Sequence, residues 1–191
     1  MMICGIDEAG RGPLAGPVCA AAVILGENFP LDLLNDSKKL TESRRLEARR
    51  VICEKSLTWG IGWASHTEID DINILQASLL AMKRAFEEML KNAAGTGTPL
   101  PDNICAIIDG LHVPQISVQC EAMVKADAKV AEVMAASILA KTSRDSYMDE
   151  MALLYPLYSY EKHKGYPTKA HREAVLLHGP SPIQRLSFKV K

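Results

Sequence analysis

Between residues 2 and 25 the chain carries two short apolar runs, at 2–7 and 17–25, parted by the Gly/Pro-rich stretch EAGRGPLAGP. Apolar runs of this length, bounded by turn residues, predict strands rather than helices, and their proximity predicts a hairpin. The first run closes on adjacent carboxylates, Asp7 and Glu8. A second apolar run, ICAIID, also closes on an acid, Asp109, just before Gly110. Two buried strands that end in acids constrain the fold strongly, because in open α/β sheets ligands bind beyond the carboxyl ends of the strands. Adjacent carboxylates repel, so a site that holds them usually supplies a cation. Taken singly, each strand-end Asp is also an ordinary turn residue. Neighbouring strand residues point to opposite faces. For Asp7 and Glu8 to reach one point, the chain must therefore bend at Glu8, with Ala9-Gly10 providing the bend.

The rest of the chain alternates strands and helices. Thr41 is the expected N-cap of a helix reaching about Lys55, and a strand over 57–65 follows. Leu75, Leu79, Met82, Phe86, Met89 and Leu90 recur at helical spacing, which predicts a long amphipathic helix. Residues 93–103 read as a loop, 104–108 as a strand and 116–120 as another. Residues 129 to about 145 predict a buried helix, which 148–154 extend or follow. Thr168 caps a final helix that Gly179-Pro180 ends. This pattern is α/β with a helical C-terminal part.

Asp127 stands where the buried helix opens, as a plain N-cap or as a further ligand. Asp145 lies 18 residues on, roughly 27 Å away along a continuous helix, too far to share an ion with it. Ser137, Lys141 and Arg144 make a polar stripe on the same helix, either a domain-edge surface or a phosphate contact. Acids without a Cys/His ligand set favour Mg²⁺ or Mn²⁺ over zinc. The five cysteines are odd in number and widely spaced, with no C-x-x-C, and read as reduced core thiols of a cytoplasmic protein. No apolar run is long enough to cross a bilayer, and no signal peptide opens the chain. The formal net charge of −1 argues against non-specific coating of nucleic acid. Basic residues nevertheless cluster at 38–50, and residues 161–191 hold seven Lys/Arg against two acids. Two such patches suit a site-limited binder of an anionic polymer, or are simply solvated faces.

The collinear motifs GIDEAGRGPLAGPV, NDSKKL, IDDINILQASLLAM, IIDG, KADAKVAEVMAASILAKTSRD and YPLYSYEKHKGYPTKAHREAVLLHGPSPIQRLSF resemble the ribonuclease HII family, the type 2 ribonucleases H. The resemblance covers nearly the whole chain. It implies a ribonuclease H-like fold: a mixed five-stranded sheet flanked by helices, all in a single catalytic domain over 1–191. Residues from about 146 to 191 would form a helical, substrate-binding C-terminal part. It places the family's metal-ligating, catalytic acids on Asp7, Glu8, Asp109 and Asp127, holding two Mn²⁺ or Mg²⁺ ions with substrate. The backbone of Gly10, Arg11 and Gly12 would hold a ribose 2′-OH. Tyr166 would stack on the sugar after the ribonucleotide, while Lys38, Lys39 and Lys141 would contact the phosphate backbone.

The implied activity is endonucleolytic cleavage of RNA in RNA/DNA hybrids, and of the bond 5′ to single ribonucleotides in duplex DNA. A monomer is expected, without a membrane partner. Rival readings are another metal-dependent nuclease of this fold or a non-catalytic hybrid binder. Gln184 departs from the His of many relatives, and Pro167 from the Gly that others carry. The chain's start argues against the type 3 subclass with its extra domain. QRLSF, at 184–188, falls inside a family motif, so sliding-clamp binding is not expected.

Overall fold

The computed structural model describes residues 1–34 and 40–190. Lys38 and Lys39 lie outside the described residues. Strands β1 (Met2–Ala9), β2 (Val18–Leu25) and β3 (Ser56–Ala64), helices α1 (Glu42–Lys55) and α2 (His66–Gly95), and strands β4 (Ile104–Asp109) and β5 (Gln119–Met123) come first. Helices α3 (Ala131–Leu154), α4 (Tyr160–His163) and α5 (Lys169–His178) complete the chain. The five strands form one mixed sheet in the order β3-β2-β1-β4-β5. The expected β1–β2 hairpin is antiparallel, as is β2–β3, whereas β1–β4 and β4–β5 are parallel.

The alternation along β1 and β2 assigns the faces. Cys4, Ile6, Ala20, Ala22 and Ile24 pack with Phe86 and Met89 of α2 on one side. Ala21 and Val23 pack with Ile52 of α1 and Ile138 and Leu139 of α3 on the other. A third cluster joins Ala15 and Met148 to Tyr158, Tyr160 and Ile183, and so seats the C-terminal segment.

Helix starts follow their caps. The Thr41 side chain accepts from Arg44 N, as expected, and Ser65 forms a capping box with Glu68. Glu68 also receives Arg84 at 2.7 and 3.0 Å, and this guanidinium draws its pKa down to about 2. Helix α2 begins earlier than its apolar repeat at Leu75. Asn73 breaks it with a φ of 67°, and the Asn73 Oδ1 accepts from Leu75 N and Gln76 N, re-capping the second piece. Its end at Gly95 also consumes the first residues of the predicted 93–103 loop.

Two elements shift from expectation. The edge strand is 119–123, not 116–120, because Gln119 to Met123 pair with Cys105 to Asp109, while Ile116 and Val118 turn inward against the α2 core. Helix α3 runs to Leu154 and starts at Ala131, with Val130 at its N-cap position. Asp127 therefore does not cap it. It sits in a 3₁₀ turn over 126–128 that follows Lys125 in the left-handed region. Helix α5 starts on Thr168 as expected and stops at Gly179.

Candidate active site

The parallel β1–β4 pairing builds the centre of the site. Ile6 pairs with Ile108, so Asp7 and Asp109 follow one residue later, side by side at the carboxyl ends of both strands. The backbone N–H of Ala126 donates to Asp109 Oδ1 at 2.8 Å and draws the 126–128 turn against β4. Carboxylate oxygens of Asp7, Asp109 and Asp127 thereby come within 4.8 Å of one another. Asp7 and Asp127 are buried, and Ser137 of α3 donates to Asp7.

Glu8 differs from the expectation. β1 does not bend there but continues through Ala9, with Glu8 paired to Ala20. The Glu8 carboxylate is not one of the three that lie within 4.8 Å of one another, although its charge still raises Asp7. It remains on the rim of the same cleft, where Arg11 Nη1 reaches Glu8 Oε1 at 3.3 Å and Oε2 is buried without a hydrogen-bond partner among the described residues.

The electrostatics have one direction. Burial, and then repulsion from Glu8 and Asp109, holds the Asp7 carboxyl well above the usual range, against the pull of Ser137. Burial also raises Glu8, although Arg11 opposes it. Clustered, desolvated carboxylates and an orphaned buried acceptor are what a hard cation relieves, so this donor set fits a divalent ion bound through oxygen. An acidic group able to hold a metal is therefore present.

The cleft around the acids has a volume of about 420 Å³ and is also lined by Gly10, Arg11, Gly12, Ser137, Lys141 and Tyr166. Gly10 has a φ of 101°, and a side chain there would collide with Arg144, so the tight departure from β1 requires glycine. Tyr166 is 40% exposed, and its ring edge lies 3.6 Å from where a Cβ on Gly12 would stand. Lys141 Nζ bonds Asp145 Oδ1 at 2.8 Å and lies 5.9 Å above the Tyr166 ring. Asp145 thus stays outside the acid group and orients a cation at the cleft wall.

The polar stripe on α3 divides three ways: Ser137 serves Asp7, Lys141 lines the cleft, and Arg144 does neither. Its guanidinium is 1% exposed and donates to the carbonyls of Ala15, Pro17 and Lys164. Sequence reasoning missed this role, and the role of Arg185, which is likewise buried beneath the glycine loop. Gln184 is 4% exposed, and both its amide oxygen and nitrogen lack partners among the described residues.

The Tyr166 loop rests on two stacked imidazoles. Gly165, at a φ of 83°, brings the loop so close to Ala15 that a Cβ would lie 2.7 Å from the Ala15 carbonyl oxygen. His163 accepts from Gly165 N through Nδ1, so its Nε2 is the donor to Tyr158 O. His171 Nδ1 donates to Tyr166 O at 3.0 Å. Burial, the leading cause for both, lowers their pKa values.

A family model described as Ribonuclease HII matches residues 4–191. The chain belongs to the ribonuclease HII family. It is 55% identical to a Ribonuclease HII of Treponema denticola over 197 aligned residues, covering 100% of this chain and 99% of that one. It is 50% identical to one from Acinetobacter baylyi, covering 98% and 94%. It is therefore a hydrolase, an endonuclease of the type 2 ribonuclease H class. Its fold is that of ribonuclease H2 from Pyrococcus horikoshii OT3, with a TM-score of 0.74 at 24% identity over 100% of this chain and 95% of that one. It also matches a ribonuclease HIII solved in complex with Mn²⁺, with a TM-score of 0.76 at 18% identity over 100% and 68%. All five cysteines are free thiols. Among the described residues, no helix is long and apolar enough to cross a membrane.

Proposed function

We propose that this enzyme cleaves the RNA strand of RNA/DNA hybrids, and cuts duplex DNA on the 5′ side of an embedded ribonucleotide, leaving 3′-hydroxyl and 5′-phosphate ends. The observation that carries this reading is the adjacency of two functions in residues 7–12. Asp7 belongs to the carboxylate group, and Gly10, Arg11 and Gly12 line the same cleft. A 2′-OH is the local feature that separates a ribonucleotide from its DNA neighbours, and backbone N–H groups beside the acids can read it at the bond to be cut.

Asp7, Asp109 and Asp127, with Glu8 at the rim, would hold Mn²⁺ or Mg²⁺. Two such ions would supply an activated water and offset charge on the departing oxygen. Asp109 is pre-positioned by Ala126 N and Asp7 by Glu8 N at 2.7 Å, so the ligand oxygens need little reorganisation. Tyr166 presents an exposed ring for a sugar beside the ribonucleotide, and Lys141 a cation for its phosphate. Lys38 and Lys39, and Arg44 and Arg49 of α1, would contact the duplex backbone, making binding salt-sensitive. The C-terminal part from about residue 146 supplies the Tyr166 loop within a single catalytic domain. A monomer in the cytoplasm, without a sliding-clamp partner, is the simplest state for such an enzyme. The Asp7→Asn variant tests the reading: cleavage should vanish while duplex binding largely survives. Full activity in that variant would sink it.

A further inference from the structure

Behind the glycine loop, the carbonyls of residues 10–17 turn almost uniformly toward two buried arginines. Arg185 Nη2 donates to Gly10 O at 2.6 Å and Pro17 O at 3.1 Å. Its Nη1 reaches Arg11 O at 3.1 Å and Pro13 O at 2.8 Å, and its Nε reaches Gly16 O at 2.8 Å. Its own backbone N–H donates to Leu14 O at 2.8 Å. Arg144 takes Ala15 O at 3.0 Å and shares Pro17 O at 2.9 Å. Arg185 is fully buried, and neither guanidinium forms an ion pair among the described residues. One side chain therefore bonds five carbonyls of a single loop, which a planar five-donor fork can do and a lysine ammonium cannot.

In a trans peptide the C=O of one residue and the N–H of the next point in opposite directions. The carbonyls of Gly10 and Arg11 are held toward Arg185. The N–H groups of Arg11 and Gly12 must then point the other way, and these two residues line the cleft on that side. Among the described residues neither N–H donates to a protein acceptor. Paired outward N–H groups of this kind form a concave donor site for an oxygen. Asp70 fastens the segment, accepting from Leu186 N and Ser187 N at 2.9 Å each.

We infer that Arg185 is a positioning residue for ribonucleotide selection. It fixes the 10–11 and 11–12 peptide planes so that the N–H groups of Arg11 and Gly12 face the ribose 2′-OH. The inference rests on the proposed function and adds a determinant outside the acid site. Arg185 touches neither substrate nor metal; it acts through the loop.

The test uses Arg185→Lys, which keeps the charge and loses the fork, with Arg185→Met as a second variant. Each is combined with Asp7→Asn so that the duplex stays intact, and duplex affinity is read by fluorescence anisotropy. The parent Asp7→Asn protein should prefer a duplex with one ribonucleotide over the all-DNA duplex. In the Arg185 variants this preference should fall about tenfold for each hydrogen bond lost, roughly 100-fold for two, toward a ratio of one. All-DNA affinity, and Mn²⁺ affinity measured with Asp7 intact, should stay within about threefold, changes a merely unstable protein would not produce selectively. A preference that survives in folded Arg185→Lys and Arg185→Met overturns the inference alone. Absence of preference in the parent overturns the functional reading and this inference with it. Failure of both variants to fold at any temperature also overturns it, because the arginine would then serve the whole domain.

Discussion

Two buried clusters of like charge sit on opposite sides of residues 7–17, and they are built differently. On the cleft side, three aspartates crowd within 4.8 Å, Glu8 Oε2 is buried without a hydrogen-bond partner among the described residues, and burial keeps Asp7 and Glu8 reluctant to ionise. On the other side, Arg144 and Arg185 are both buried, yet backbone carbonyls satisfy them throughout. Burial and repulsion from Arg144 pull Arg185 down to about 9, still cationic at neutral pH. The arginine cluster is complete within the protein, whereas the acid cluster is completed only by something that binds. That contrast separates a structural charge cluster from a functional one: burial is common to both, and satisfaction is not.

The largest effect should come from Asp7→Asn, which breaks the contrast on the acid side. Cleavage should fall by about 10³-fold or more, while the metal-free protein gains about 0.5–2 kcal/mol, as when a strained functional group is removed. The sign follows from the raised pKa. The stability linked to Asp7 is present below its unfolded pKa and lost as pH rises through the folded value. Parallel activity assays and thermal melts without divalent ion at pH 7 check both halves. A destabilised Asp7→Asn protein would contradict the account.

On the arginine side the sign reverses. Arg144→Met should cost about 2–5 kcal/mol, since the carbonyls of Ala15 and Lys164 lose their donor at roughly 1–3 kcal/mol each while Pro17 O keeps Arg185. Urea unfolding measures it, and a loss under about 1 kcal/mol would place Arg144 among ordinary side chains.

The histidine stack gives a smaller, pH-dependent effect. His171 folds with its pKa below the reference of 6.5, so the folded state binds fewer protons than the unfolded one. Its contribution is present above 6.5 and is lost as pH falls through the folded value. His171→Asn keeps a donor for Tyr166 O but does not titrate. The stability advantage of wild type over this variant should shrink between about pH 7.5 and 5. An advantage that holds or grows would refute the assignment of a buried neutral imidazole. Smallest of all, Arg50→Ala removes only an exposed pair with Glu54 at 2.8 Å and should change stability by less than about 0.5 kcal/mol.

Local signals and long-range ones were not equally legible. Apolar runs ending in Asp7 and Asp109 announced two strand ends, and the parallel β1–β4 register turned them into neighbours. Thr41 and Thr168 announced their helices because a cap bonds within one turn. The expected bend at Glu8 is absent because pairing with β2 carries the strand on to Ala9, and the turn waits for Gly10. The expected strand over 116–120 shifts because Ile116 and Val118 bury against α2, while the paired edge strand, over 119–123, is largely exposed. Arg144 and Arg185 stayed hidden because their partners are backbone carbonyls. Those of Arg185 lie 168 to 175 residues away, and no side-chain pattern records them.

The central claim is that residues 7–12 combine cutting with recognition of the 2′-OH. Product mapping on a DNA duplex carrying one ribonucleotide, with Mg²⁺ and Mn²⁺ compared, tests it most directly. The account predicts a single cut on the 5′ side of the ribonucleotide, leaving a 3′-hydroxyl and a 5′-phosphate, and no cut when the 2′-OH is absent. Cleavage on the 3′ side, or a cyclic phosphate end formed by attack of the 2′-OH itself, would contradict it.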